Sequence, residues 1–292
     1  MSVPIPPEPI PLKVSALLVT RNQAEAARRS VAALEKSVPR GMLEILVADS
    51  GSRDGTAQLD EEFPSLIMLR NARNFGWTKI ANIGTRTAKG EYLLLLYPGA
   101  EVEPGTVAKL AGYLEADPSA AAVVPVEHDA SGNVVSTFYA MPGAGELTQR
   151  RAQGHWGHPL PLPASGAPVE FPAGAPVMVR RQAVVQINYL DGRFGQFGAD
   201  LDLFFQIKRG GRKIVFLPEA RVTSGDRTPE LAHGYDASDL AHGSASYLGK
   251  WFGAGAGLSA RIGGAFSRLS GADVGGFLGV LTGSKVDGTK GD

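Results

Sequence analysis

No cysteine occurs in the 292 residues, which excludes a disulfide framework, thiolate metal sites and a cysteine nucleophile together and fits a reducing interior. Charge of one sign is not in excess either. Lys and Arg number 29 and Asp and Glu 29, so bulk charge supplies nothing to hold a polyanion, and nucleic acid is not an expected partner. Long apolar runs are missing: Tyr92 to Tyr97 is far short of the roughly 20 residues that a bilayer span requires. Residues 1–12 are proline-rich, without the early positive charge and apolar stretch of a secretory signal, and read as an extended arm. The expected location is the cytoplasm, or the inner face of its membrane.

With 43% hydrophobic and 20% charged residues, the chain has the composition of a folded globular protein. From Lys13 short β-branched runs alternate with stretches of helical period, the pattern of an α/β protein. Strands are expected at Val14 to Thr20, Leu43 to Ala48, Ser65 to Leu69, Tyr92 to Leu96, Ala121 to Val126, Val177 to Val179 and Lys213 to Leu217. Helices are expected between them, the first capped by Asn22, with others over Thr78 to Lys89, Val107 to Ala116, Arg181 to Gln186 and Asp200 to Arg209. Gly210-Gly211 stops the last of these. The wholly apolar Tyr92 to Leu96 reads as a central strand covered on both faces. Between Glu127 and Ala167 the pattern fails, apart from a hairpin turn at Ser131-Gly132-Asn133, and a loop of that length suits a substrate. Beyond Gly225 the chain is Gly/Ala-rich, with amphipathic stretches at Leu240 to Phe252 and Ala260 to Leu269.

An open parallel sheet binds its ligand at the carboxyl ends of its strands. The first two strands end in Thr20-Arg21-Asn22 and in Asp49-Ser50-Gly51-Ser52-Arg53-Asp54-Gly55-Thr56. Neither holds the Gly-x-Gly-x-x-Gly of dinucleotide sites or the Gly-Lys-Ser/Thr of P-loops. The Gly253-Ala254-Gly255-Ala256-Gly257 run has no preceding strand and reads as a flexible connector. A carboxylate that ends a buried strand, as Asp49 does, is placed to accept from a base N–H, and equally to cap a turn. The residues by themselves leave both readings of Asp49 and Asp54 open.

Four passages add context: Val14 to Asn22, Ile45 to Thr56, Asn74-Phe75-Gly76 with Asn82-Ile83-Gly84, and Phe194-Gly195-Gln196-Phe197-Gly198-Ala199-Asp200-Leu201-Asp202-Leu203. In order and spacing they resemble the successive signatures of family 2 glycosyltransferases, over about residues 13 to 224. The resemblance implies an α/β GT-A fold with a central, mostly parallel sheet at 13–224, followed by a helical C-terminal extension at 225–292. It implies inverting transfer from a nucleoside diphosphate sugar to a hydroxyl of a carbohydrate or lipid-linked acceptor, in polysaccharide or glycolipid assembly of bacterial type. Thr20, Asn22, Asp49, Gly51, Ser52 and Asp54 would bind the donor. Trp77 and Tyr97 would line its pocket, and Asp200 matches the base that takes the acceptor's proton. Asp202 reads as a helix cap.

The sequence departs from this pattern at three points. The family expects Mg or Mn, held after the central strand by Asp-x-Asp, but Tyr97-Pro98-Gly99-Ala100-Glu101 puts Gly99 in the ligand's place. The family's later His aligns near Ser224, and its Glu before the base is Ala199. No metal ligands are therefore assigned, and charge on the leaving diphosphate would fall to cations such as Arg73, Lys79, Arg180 and Arg181. His155 and His158 lack a third ligand of suitable spacing and read as a loop, from which Trp156 could stack on a sugar. The amphipathic tail suits packing on the catalytic domain, a homodimer or peripheral membrane contact. Two readings stand: an inverting glycosyltransferase, and a degenerate homologue that binds nucleotide sugar or a partner without turnover.

Overall fold

The computed structural model describes residues 14–38, 43–143, 159–224, 237–270 and 273–288. Its strands are β1 (Val14–Thr20), β2 (Leu43–Ser50), β3 (Ile67–Asn71), β4 (Tyr92–Leu96), β5 (Glu101–Val102), β6 (Ala120–His128), β7 (Phe138–Tyr139), β8 (Pro159–Leu160), β9 (Pro168–Val169), β10 (Val177–Arg180) and β11 (Lys213–Thr223). Alternate residues of β1 enter two separate hydrophobic clusters, Leu17 one and Ala16 and Leu18 the other. A strand wedged between two apolar layers has no polar face, so β4 is an unbroken apolar run and β1 departs from one only at Ser15 and at Thr20, its last residue.

Both lie inside a nine-stranded sheet with the path β3-β2-β1-β4-β10-β6-β11-β5, while β9 pairs with β11 and β7 pairs with β8 apart from it. Strands β1 to β4 are parallel. Strand β10 runs antiparallel to β4 and β6, and β11 is parallel to β6. The carboxyl ends of β1, β2, β4, β6 and β11 therefore share one edge.

On one face, α1 (Ala24–Ser37), α2 (Leu59–Glu62) and α4 (Thr106–Ala116) cover the sheet through Val31, Leu59 and Leu110. On the other lie α3 (Trp77–Thr87), α5 (Arg181–Gln186) and α6 (Ala199–Arg209), through Ile80, Val184 and Phe204. In α3, a Cβ on Gly84 would stand 2.3 Å from Leu17 Cδ1, so the glycine sets how closely this helix approaches β1. Gly210 ends α6, and Gly211 follows at φ 73°, as the Gly-Gly pair predicts. The expected turn at 131–133 forms as well: Gly132 N–H donates to Asp129 O, and His128 bridges to Val134.

Three helices complete the described chain: α7 (Ala237–Phe252), α8 (Ala254–Ser270) and α9 (Val274–Thr282). The glycine run at 253–257 is thus not a connector. Only Gly253, at φ 96°, turns the chain, and α8 begins at Ala254. A Cβ on Gly257 would stand 2.8 Å from Gly249 Cα, so the glycines allow α7 and α8 to pack backbone to backbone.

Asp202 holds this extension to the sheet layer. Its carboxylate, 1% exposed, accepts from Lys250 Nζ at 2.8 Å, Trp251 Nε1 at 2.8 Å and Gln206 Nε2 at 2.9 Å. The expected cap is therefore a tertiary anchor. Lys250 also pairs with Asp191 at 2.9 Å, and the Phe205 ring packs on Trp251 with centroids 4.7 Å apart. Beyond α9 the chain returns to the sheet edge, where Val286 N–H donates to Asp239 Oδ2 at 2.6 Å and Arg73 Nη1 donates to Gly288 O at 2.9 Å.

Candidate functional site

Register places the predicted donor residues on the shared carboxyl edge. Thr20 pairs with Asp49 across β1 and β2, and Leu18 with Leu96 just before Tyr97. The two loops that leave this edge are knitted together. Asn22, left-handed at φ 51°, accepts from Arg53 N–H at 2.7 Å through its side chain, and its own N–H donates to Ser52 Oγ at 2.8 Å. Asn22 therefore does not cap α1. That role falls to Asp54, whose carboxylate accepts from Ala24 N–H at 3.1 Å and from Thr56 N–H at 3.0 Å. Burial pushes the Asp54 carboxyl up, but the hydrogen bonds from Thr56 and Ala24 together outweigh it and hold the group below its ordinary range.

Asp49 is 2% exposed. Its carboxylate accepts from the Ser52 hydroxyl and from Ser52 N–H at 3.1 Å, which is the turn-capping arrangement. The Thr20 hydroxyl is buried and has no partner among the described residues. Gly51 is fixed by geometry: at φ 72°, with a Cβ that would stand 2.6 Å from Arg73 Cα, it admits no side chain. Gly51→Ala is expected to cost at least the ~1–2 kcal/mol of a left-handed L-residue. A fall in Tm together with weaker nucleotide binding checks it.

Asp200 reaches the same edge from the other side. It lies in the first turn of α6 and accepts from Leu201 N–H at 2.8 Å and from Gly174 N–H. Gly174 precedes β10, whose Val177 pairs with Leu95 near the end of β4. Between the two halves, Ser50 Oγ donates to Asn74 Oδ1 at 3.0 Å, Trp77 N–H donates to Gln196 Oε1 at 3.0 Å and Thr78 N–H donates to Gly195 O at 3.1 Å. Asp49 and Asp200 thus border one continuous edge. Packed protein around the Asp200 carboxyl pushes its pKa up, against the pull of the Leu201 and Gly174 amides. A carboxylate raised in this way is a better proton acceptor.

A family model described as "Glycosyl transferase family 2" matches residues 15–167. The chain belongs to that family. An N-acetylglucosaminyl-diphospho-decaprenol L-rhamnosyltransferase of Mycobacterium tuberculosis is 25% identical over 70% of this chain and 73% of its own length. Among solved structures, GalNAc-T7 with UDP, GalNAc and Mn2+ shares 22% identity at TM-score 0.60, over 73% of this chain. This chain spans 44% of the length of that structure. A mannosyltransferase of Pyrobaculum calidifontis in complex with GDP-Man and Mn2+ shares 16% identity at TM-score 0.57, over 92% of this chain and 74% of that one. The fold is GT-A, with a helical C-terminal extension.

Both of those structures hold Mn2+. Among the described residues no group of three His, Cys, Asp or Glu could hold an ion. Gly99, at φ 94°, donates its N–H to Ala26 O at 3.1 Å and to Ser30 Oγ at 2.9 Å, and so faces α1. Glu101 does not replace the lost carboxylate, because its Oε1 pairs with Arg29 Nε at 3.1 Å. Of the departed ligand positions, Ser224 meets Tyr97 and not Gly99: the Tyr97 hydroxyl lies 2.6 Å from Ser224 Oγ and donates to Glu127 Oε1 at 2.6 Å. Glu127, 0% exposed, is the one carboxylate of this trio. Magnesium takes one or two carboxylates, and here the only one is already engaged by a phenol, so the donor set does not fit a divalent ion.

The cations named from sequence separate by position. Arg180 donates to Leu114 O and, at 2.8 Å, to Ala120 O, and Arg181 donates to Gly90 O at 2.7 Å. Arg180 pairs with Tyr92 at the amino end of β4, so both arginines serve the opposite edge and are removed from the donor side. Lys79 sits 4.0 Å from the Phe75 ring centroid, and Arg73 holds Gly288, both beside the carboxyl edge. His155, Trp156 and His158 lie outside the described residues.

Proposed function

We propose that this chain transfers a sugar, with inversion, from a nucleoside diphosphate sugar to a hydroxyl acceptor, without a carboxylate-held metal. The observation that carries this reading is Asp200: a carboxylate held by the Leu201 and Gly174 amides, its pKa raised by burial, on the edge that also holds Asp49 and the Thr20 hydroxyl, which has no partner among the described residues. The acceptor O–H gives its proton to Asp200 as its oxygen attacks the anomeric carbon from the face opposite the diphosphate, and the C–O bond to the diphosphate breaks. Thr20, Asn22, Asp49, Gly51, Ser52 and Asp54 form the donor side, with Trp77 and Tyr97 at its flank. The named activity of the mycobacterial relative supports a lipid-linked saccharide as the acceptor class.

Calorimetry with a panel of nucleotide sugars tests the donor. Binding is expected to be unchanged by EDTA, and magnesium or manganese to shift the affinity less than about twofold, because no group of acidic or His residues among the described residues could hold an ion. An affinity that rose tenfold with metal would contradict the reading. The second reading, a binder without turnover, draws on the same Tyr97–Glu127–Ser224 cluster. It wins if a donor binds and no nucleoside diphosphate is released with any lipid-linked or free saccharide acceptor.

A further inference from the structure

A cavity of about 360 Å³ opens between α7 and α8, and none of the residues assigned to the donor lines it. Arg193, His242, Lys250 and Arg261 line it, with Gly257 and Leu258 among the small and apolar residues, and no acidic residue is part of that lining. Two of the cations are neutralised locally. Lys250 lies between Asp191 and Asp202, and Arg193 reaches Asp191 at 3.2 Å. Arg261 has no carboxylate partner among the described residues, so the cavity keeps an uncompensated guanidinium. His242 is 8% exposed, its Nε2 lies 2.9 Å from Arg193 O, and its Nδ1 has no partner among the described residues. Both His242 Nδ1 and Arg261 Nη2 lie 3.4 Å from the point where a Cβ on Gly283 would stand. Because Nε2–H is donated to Arg193 O, Nδ1 is the acceptor of the neutral ring, and the Arg261 guanidinium is what the cavity offers an oxyanion, with no carboxylate in the lining.

Leu258 belongs to a second feature. Along α8, Leu258, Ile262 and Phe266 are 59%, 42% and 59% exposed, one stripe at four-residue spacing. On α9, Val274, Leu278 and Leu281 make a parallel stripe, 58%, 54% and 39% exposed. Phe266 and Phe277, with ring centroids 6.1 Å apart, join the two helices. No helix of the described residues is long and apolar enough to cross a membrane. A basic cavity whose lip is an exposed apolar stripe matches one ligand chemistry: a phosphate attached to a hydrocarbon chain.

We infer that the α7–α8 cavity binds the phosphate or diphosphate of a membrane lipid, with the α8 and α9 stripes lying in the bilayer interface. The inference deepens the lipid-linked acceptor reading but stands on the extension alone, so the two fail separately.

The test is co-sedimentation of the full chain with phosphatidylcholine vesicles, plain or doped with phosphatidic acid, alongside calorimetry of donor nucleotide. Doped vesicles are expected to bind several-fold tighter than plain ones. Arg261→Ala is expected to lower that affinity about fivefold, the worth of one basic residue at an anionic surface, and Leu258→Asp with Ile262→Asp to abolish it. Donor binding and Tm are expected to stay as in the parent chain. Equal binding to plain and doped vesicles, or full binding by Arg261→Ala, overturns the phosphate site. A dimer in gel filtration that Leu258→Asp splits, with no vesicle binding, makes the stripes an interface between copies and overturns the lipid. Pyrophosphate that binds through Arg261 while no vesicle does overturns it too. Normal glycosyl transfer without vesicle binding would remove this inference and leave the previous one standing.

Discussion

Asp200→Asn is expected to lower kcat by about 10²–10⁴-fold, the range for a removed general base, and to leave donor affinity as it was. The amide keeps the shape of the carboxylate beside Leu201 and Gly174 but cannot take a proton. Because burial raises this carboxyl above its ordinary value, the acid limb of kcat/KM should lie higher than for a solvated aspartate. Activity rises with pH through that value, since only the ionised form accepts the proton. A kcat left intact by Asp200→Asn would assign the base elsewhere. Unchanged kcat with a collapsed donor affinity would make Asp200 a binding residue.

The second large effect is on stability. Asp202→Ala is expected to cost about 3 kcal/mol, the lower end for a broken buried ion pair, because Lys250, 17% exposed, keeps Asp191 as its one remaining carboxylate. Trp251 and Gln206 lose their acceptor in the same step. For a chain of this size that is a fall in Tm of about 10 °C. Asp202→Leu combined with Lys250→Met should recover most of it, since apolar residues of similar volume replace a buried pair at little cost. A single Asp202→Ala variant that melted like the parent would show that the pair does not hold the extension.

Legibility from sequence followed burial. The bounds of β1 and β4 are those that their apolar runs predict, because both faces of each strand are covered. The ends of β6 and β11 run further than predicted, through Glu127-His128 and through Leu217 to Thr223. Their polar residues hid the strands, as did the register shift between Leu217 and Arg221. Helix α9 and the start of α8 were hidden by glycine, which reads as a breaker in isolation yet serves here as a packing surface. That Asp200 begins a helix and that the Thr20 and Asp49 segments end neighbouring strands was legible because each of those motifs is local. Glu127 was not, because it meets Tyr97 across 30 residues and no motif marks it. The anchoring of Asp202 by Lys250, 48 residues on, is likewise a product of the fold.

The path of the tail has a practical side. Gly76 would clash with Val286 O at 2.4 Å if it carried a Cβ, so the last described residues press against the loop that leads into α3. A bulky label attached to Val286 would hang over the donor loops and compete with whatever approaches them. Val14, where β1 begins, lies at the opposite edge of the sheet, so a label there stands clear of the donor loops.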